Sequence, residues 1–239
     1  MRSPVIANDR RFDTLVAVSS YGKSVEENGF AIVSECLSER MVGTLSSQFG
    51  STKHPRRNLL DVPSVRDLAV SEPVRQLVGA VLGKECFAVR GILFNKTPES
   101  NWKVVWHQDR TIAVRERKEA AQFGPWSIKS GVFHVQPPAS LMAQMIAIRL
   151  HLDESNEANG PLRVIPGSHT AGCLSASEID TWKGHQSVTC AVPKGGAILM
   201  RPLLVHASSC CTRPDQRRVI HLEFAAFDLP DGLEWYDRV

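Results

Sequence analysis

Apolar positions along the chain change their period near residue 83. Gly29 to Val33 (GFAIV) predicts a short strand. Ser38 then stands as the N-cap of a helix whose apolar side is Met41, Leu45 and Phe49. Ser71 caps a second helix, with Pro73 in its first turn and Gly83 at its end. Val74, Leu77, Val78, Val81 and Leu82 give that helix the rhythm of one buried face. After Gly83 short runs rich in Val, Ile, Leu and Phe follow, broken by turn residues. They are CFAVRGILF (86–94), WKVVW (102–106), QMIAIRLHL (144–152), LRVI (162–165), SVTCAV (187–192), AILM (197–200), LLVH (203–206) and RVIHLEFAAF (218–227). TPES, NEANGP, PGSH and PKGG separate them with turn chemistry. Most gaps are too short for crossover helices, which excludes an α/β sheet. The pattern predicts a mainly β protein, a jelly roll with flanking N-terminal α-helices.

The expected organisation is one domain over 1–239, with a helical prelude at 1–85 and a jelly-roll core at 86–227. The longest gap, Arg110 to Pro138, is polar, holds Phe123, Trp126 and Phe133, and ends in HVQPP. A loop of that length in a compact protein is usually functional, so 110–138 is expected to be a mobile lid.

Composition changes this picture little. Hydrophobic residues make up 43% and charged residues 22%, enough for a packed core. The net charge of +3 is too small to point to nucleic acid. No apolar run reaches the roughly 20 residues of a membrane span, and the N-terminus lacks a secretory signal, so the expected location is cytoplasmic, off the membrane. Nothing speaks to oligomeric state. The six cysteines, at 36, 86, 173, 190, 210 and 211, form no CxxC pair and are expected to be free thiols, Cys210-Cys211 lying in a loop.

Candidate chemistry sits at strand ends. His107-Gln108-Asp109 and His151-Leu152-Asp153 are both H-x-D pairs. Strand alternation puts residues i and i+2 on one side, so either pair could chelate. Two histidines and one carboxylate are the ligand set of non-haem iron(II) oxygenases. The third ligand must be a distant histidine, and His206, at the end of LLVH, is the best placed. His54, His134, His169, His185 and His221 are weaker candidates. If 2-oxoglutarate were the cosubstrate, its far carboxylate would need an arginine. Arg217 and Arg218 open the strand after His206, and alternation sends them to opposite faces. A hairpin turning near 213–215 would set 217–220 opposite 206–208, with Ser208 on the His206 side.

Together these residues resemble the phytanoyl-CoA dioxygenase family of iron(II)/2-oxoglutarate oxygenases, over roughly Phe87 to Phe227. ILFNKTP followed by WHQD looks like the family's proximal metal motif. NGPLRVIPGSH (159–169) is similar to its signature turn, LLVHASS to its distal histidine and serine, and RRVIHLEF to its arginine strand. The resemblance implies a double-stranded β-helix and iron(II) held by His107, Asp109 and His206, with His151-x-Asp153 a decoy. It implies 2-oxoglutarate and O2 as cosubstrates and a C–H hydroxylation releasing succinate and CO2. The family's spacing of eleven from the distal histidine selects Arg217, with Ser208, for the far carboxylate. Ile92 matches an apolar position that packs on 2-oxoglutarate. Arg149 falls where the family often has an aromatic residue, facing either cosubstrate or substrate. Asp109 argues against halogenation, which needs a small residue there. Trp106, Gln108, His134, Gln136 and Gln144 are candidate substrate contacts. Their polar and aromatic mixture suits a small polar metabolite better than a long acyl chain, and no stretch suits nucleic acid. The rival reading is a cupin-like binding module, non-catalytic or with a different metal. It would normally show an H-x-H pair, which is absent.

Overall fold

The computed structural model describes residues 9–50, 55–97, 99–212 and 216–239, without the side chains of 9–17. His54 and the turn at 213–215 lie outside the described residues. The chain opens with helix α1 (Asp9–Asn28), strand β1 (Phe30–Val33) and helix α2 (Glu39–Phe49). Ser38 caps α2 by accepting from the Met41 N–H at 3.3 Å. Val42, Leu45 and Phe49 form its buried side, with Met41 only partly covered. Helices α3 (Pro63–Ala69) and α4 (Glu72–Leu82) follow. Ser71 precedes α4 without capping it. Its hydroxyl donates back to the Leu68 carbonyl at 2.7 Å.

The strands then come in close succession: β2 (Phe87–Lys96), β3 (Val104–His107), β4 (Ile112–Val114), β5 (Trp126–Lys129) and β6 (Val132–Val135). A short α5 (Ala139–Met142) leads to β7 (Ile146–His151) and β8 (Leu162–Val164), and α6 (Ala176–Trp182) to β9 (Val188–Cys190). Strands β10 (Ala197–Met200), β11 (His206–Ser208) and β12 (Arg217–Ala225) complete the set. One sheet has the order β1-β10-β7-β12-β2 and a second β3-β11-β8-β9, the two halves of a jelly roll.

Alternation divides the large sheet. Ile146, Ile148 and Leu150 of β7, with Ile220, Leu222 and Phe224 of β12, face outward and pack with Leu45 and Phe49 of α2 and Val74, Leu77 and Val78 of α4. The inner face is unusual for a core. From β7 it carries Arg149 and His151, from β12 Arg217, His221 and Glu223, and from β2 Lys96 and Arg90, all buried. Buried charges cost several kcal/mol each unless paired or liganded, so this inner layer is where function is to be sought.

Two expectations need correction. The stretch 206–208 does not form a hairpin with 217–220. β11 pairs with β3 and β8, while β12 pairs with β2 and β7. β11 and β12, successive in sequence, therefore lie in different sheets. Nor is 110–138 an unstructured loop. It builds a third sheet, β4-β6-β5. Ile112, Val114 and Val135 are buried there with Leu229, Leu233 and Trp235 of the C-terminal tail. The Cys residues are free, and Cys210-Cys211 lies in a loop as expected.

Candidate metal centre and cosubstrate cavity

His107 ends β3 and His206 begins β11, and the two are direct partners in the antiparallel register. Their rings stand 4.2 Å apart between centroids. Asp109 follows β3 in a turn whose backbone is fixed by its N–H donating to the Pro202 carbonyl at 2.9 Å. Its two oxygens lie 3.9 Å from His107 Nε2 and 3.7 Å from His206 Nε2. Each imidazole bonds through Nδ1 to the carbonyl two residues earlier, His107 to Val105 and His206 to Leu204, both at 2.8 Å. A carbonyl only accepts, so the proton sits on Nδ1 and the Nε2 lone pair is free for a metal. Burial, only partly opposed by Asp109, lowers His206 to about 4. Burial would raise Asp109, but His206, His221, His107 and Arg90 outweigh it and hold the carboxyl well below its usual range. At neutral pH the donor set is therefore a carboxylate with a neutral His206. With His107 it fits a divalent iron bound on one face.

From this trio a cavity extends inward to Arg217, Ser208, Lys96 and Arg149. Arg217 is 4% exposed and makes no ion pair among the described residues, the nearby Asp153 being taken by Arg218. Its Nε is buried without a partner, as is that of Arg149. Burial, then Arg149, lowers Arg217 to about 10. Lys96 donates to Ser208 Oγ at 3.1 Å and to the Ser209 carbonyl. Burial, then Arg217, lowers it to about 8. Arg149 lies over the Phe94 ring at 5.0 Å and donates to His221 Nδ1 at 3.3 Å. Three cations with so little compensation form a cradle that an anionic ligand would complete.

The signature turn serves this cavity. Gly160 adopts a φ of +68°, and a Cβ there would collide with the Ser209 carbonyl and come within 3.1 Å of Lys96 Nζ. Only glycine lets Ser209 approach the turn this closely. Ser168 accepts from the Val205 N–H at 2.9 Å and donates to the Ile165 carbonyl at 2.7 Å, bracing the residue before His206.

The other expected residues separate. Ile92 faces the interior but borders a neighbouring cavity with Arg90 and His134. Trp106 points to the outside, packing against Ile165 and Ile179 with Arg163 over its ring at 5.4 Å. Gln108 is spent on structure. Its amide donates to the Gly172 and Leu203 carbonyls at 2.8 and 2.7 Å and accepts from the Leu174 N–H at 2.8 Å. Sitting between His107 and Asp109, it clamps the H-x-D segment. Gln136 is half-buried at the end of β6, its backbone paired with Gly124 and Pro125. Gln144 is exposed and bonds the Ser140 carbonyl. No residue of 110–138 lines the cavity at the trio.

The second H-x-D pair is split. His151 faces inward, buried, with both ring nitrogens unpartnered. Asp153 turns outward, where Arg218 Nε and Nη2 donate to its two oxygens, each at 2.8 Å. Strand β7 ends at His151, so alternation does not carry through to Asp153. The sequence reading missed Lys96 and Phe94, which alternation from Ile92 already places on the inner face. It also missed the buried chain in which His221 Nε2 donates to Glu223 at 3.1 Å and Glu223 pairs with Arg90.

The family model for phytanoyl-CoA dioxygenase (PhyH) matches residues 25–219. The iron/alpha-ketoglutarate-dependent dioxygenase ausU of Aspergillus calidoustus is 25% identical over 221 residues, 88% of this chain and 72% of that protein. EctD from S. alaskensis with bound Fe superposes with a TM-score of 0.66 at 17% identity, over 95% of this chain and 79% of that one. The epimerase SnoN, in complex with Fe3+, alpha ketoglutarate and nogalamycin RO, gives 0.66 at 13% identity, over 91% and 92%. At these identities the solved structures speak for the jelly-roll fold alone. Among the described residues no helix is long and apolar enough to cross a membrane. The chain belongs to the phytanoyl-CoA dioxygenase family and is an iron(II)- and 2-oxoglutarate-dependent dioxygenase.

Proposed function

We propose that this enzyme hydroxylates a C–H bond of a small, polar metabolite, with 2-oxoglutarate leaving as succinate and CO2. The observation that carries this reading is the buried, unpaired Arg217 at the far end of a cavity that begins at His107, Asp109 and His206. Those three residues hold iron(II), which when bound supplies the oxidative chemistry of the family. Arg217 forks onto the far carboxylate of 2-oxoglutarate. Ser208 and Lys96 donate to the same end, and Arg149 borders its middle. Phe94 and Leu162 line the walls and limit water. Asp109, as a full ligand, supports oxygen transfer rather than halogen transfer.

Anaerobic addition of iron(II) and 2-oxoglutarate tests the reading through the weak visible absorption of the chelate. The band is expected in the wild type and in His151→Ala. It should vanish in His107→Ala, because two remaining ligands rarely hold a divalent metal well. Equal loss in both variants, or no band in the wild type, would sink the assignment. Succinate release above the uncoupled background, read across a panel of polar metabolites, then identifies the substrate.

A further inference from the structure

A second cavity opens where the first one ends. On the inner face of β2, Lys96 and Phe94 line the first cavity, while Ile92 and Arg90 line the second. Asp109 stands level with the boundary, its carboxylate within 4.8 Å of the ligand atoms of His221 and Glu223. The second cavity is closed by Arg57, by Ala113 and His134 of the small sheet, and by Tyr236 of the tail. Lys129, on β5, pairs with Val132, two residues from His134 and on the same face of the small sheet.

Its charge does not balance. Arg90 is consumed by Glu223. Arg57 has no hydrogen bond or ion pair among the described residues, and its side chain is exposed at the mouth. Lys129 donates only to the Thr111 hydroxyl, at 3.2 Å. Burial, then Arg90 and Arg57, lowers Lys129, so these cations repel one another. Burial first, with the same cations adding, brings His134 to about 4 and keeps it a neutral donor or acceptor. Asp237 also borders the cavity; burial, then Asp61, raises its carboxyl, with Arg66 opposing. Glu223 and Asp109 do attract them, yet Glu223 is paired and Asp109 is a proposed metal ligand.

We propose that the mouth of this cavity is the substrate's anion subsite, and that the substrate carries an oxyanion, a carboxylate or a phosphate, held there between Arg57 and Lys129 with its reacting carbon toward Asp109. The proposal rests on the iron and 2-oxoglutarate reading above, which places the cosubstrate in the other cavity and leaves this one free. It narrows the substrate from a small polar metabolite to an acidic one. It also gives the small sheet a role, since β5 and β6 bring Lys129 and His134 to the site.

The test uses full-length protein loaded anaerobically with iron(II) and saturated with 2-oxoglutarate. Inorganic phosphate and acetate are then titrated by calorimetry at constant ionic strength. Saturable binding of at least one is expected in the wild type. Arg57→Ser and Lys129→Gln should each weaken it about tenfold or more, the loss of one charge-assisted hydrogen bond. Arg57→Lys should recover part of it. The 2-oxoglutarate affinity of all three variants should stay within about threefold of wild type. Arg57 makes no internal bond, so its replacement should not unfold the chain. Tighter phosphate points to a phosphorylated substrate, tighter acetate to a carboxylic acid, and either supports the proposal. No saturable binding of either anion, or binding unchanged in both Arg57→Ser and Lys129→Gln, overturns it. Failure of wild-type protein to bind 2-oxoglutarate in the preceding titration refutes the cosubstrate reading and takes this proposal with it.

Discussion

In the proposed cosubstrate cavity, Lys96 is the cation whose charge changes nearest to neutral pH. Burial, and after it Arg217, lowers the ammonium to about 8, so charged and neutral forms coexist just above physiological pH. A dianion bound beside it favours the charged form and raises that value. The sign then follows from linkage. Below about 8 the lysine is already protonated and 2-oxoglutarate affinity should be flat. Above it, binding must take up a proton, and affinity should fall by up to about tenfold per pH unit until the pKa of the complex is reached. Anaerobic titrations in several buffers should show this fall with proton uptake, and Lys96→Met should bind more weakly at pH 7 and lose the slope. A wild-type affinity that rises above pH 8 would mean that Lys96 does not face the anion. At this scale the cluster of His107, Asp109 and His206 was legible because His107 and Asp109 are local and carry a recognisable spacing. Lys96 was not, because its partner Ser208 lies 112 residues further along. Gln108 shows the opposite case. Its neighbours in sequence belong to the candidate metal trio, but its own hydrogen-bonding capacity is taken by backbone groups of residues 172–174 and 203.

Within an element, alternation was a better guide than guessed pairing. Arg217 shares the inner side of β12 with Val219 and His221, as the period of two requires, although the hairpin first invoked for that strand does not exist. Arg218 points outward, pairs with Asp153 and donates to the Ser46 carbonyl of α2 at 2.9 Å. The two neighbours should therefore fail in different ways. Arg217→Met should weaken 2-oxoglutarate binding by about two orders of magnitude, from two charge-assisted bonds at roughly 1.5–3 kcal/mol each. Because it removes an unpaired buried charge, it should leave the melting temperature equal or higher. Arg218→Met should shift 2-oxoglutarate affinity less than about threefold but cost stability by about 1–3 kcal/mol, since Asp153 and two helix carbonyls lose their donor. Titration and thermal melts of both variants separate these outcomes. A larger affinity loss in Arg218→Met would reverse the two faces of β12. The strand faces could be read because periodicity is a local property. Which strands meet could not, because β11 and β12 are adjacent in sequence and lie in different sheets.

In the whole molecule, the segment 110–138 owes its order to residues at the far end of the chain. Its strands are only three or four residues long, too short for periodicity to reveal, and although they pair with one another, the tail that secures them comes about a hundred residues later. Val114 bridges to Trp235, the Arg115 N–H donates to the Glu234 carbonyl at 3.1 Å, and the Tyr236 N–H donates to the Ala113 carbonyl at 3.1 Å. Val239 then exchanges two backbone bonds with Ala88 on β2, so the tail stitches the small sheet to the large one. A lid held in this way is expected to be a rigid wall, with slow hydrogen exchange in β4 and β6 and faster exchange in β5 at the sheet edge. Trp235, 4% exposed with its indole N–H on the Phe227 carbonyl at 3.0 Å, is the main fastener. Trp235→Ala should cost about 3–5 kcal/mol and should release protection in β4, β6 and the tail together. Iron affinity should change less than about threefold, because Asp109 is held from the other side by Pro202 and by the Gln108 clamp. Binding of phosphate or acetate at the second cavity should be lost with the wall that carries Tyr236, His134 and Lys129. Wild-type exchange in β4 and β6 as fast as in open loops would restore the mobile lid. Loss of iron together with the small sheet would show that the metal centre depends on it, contrary to the hydrogen bonds that fix Asp109.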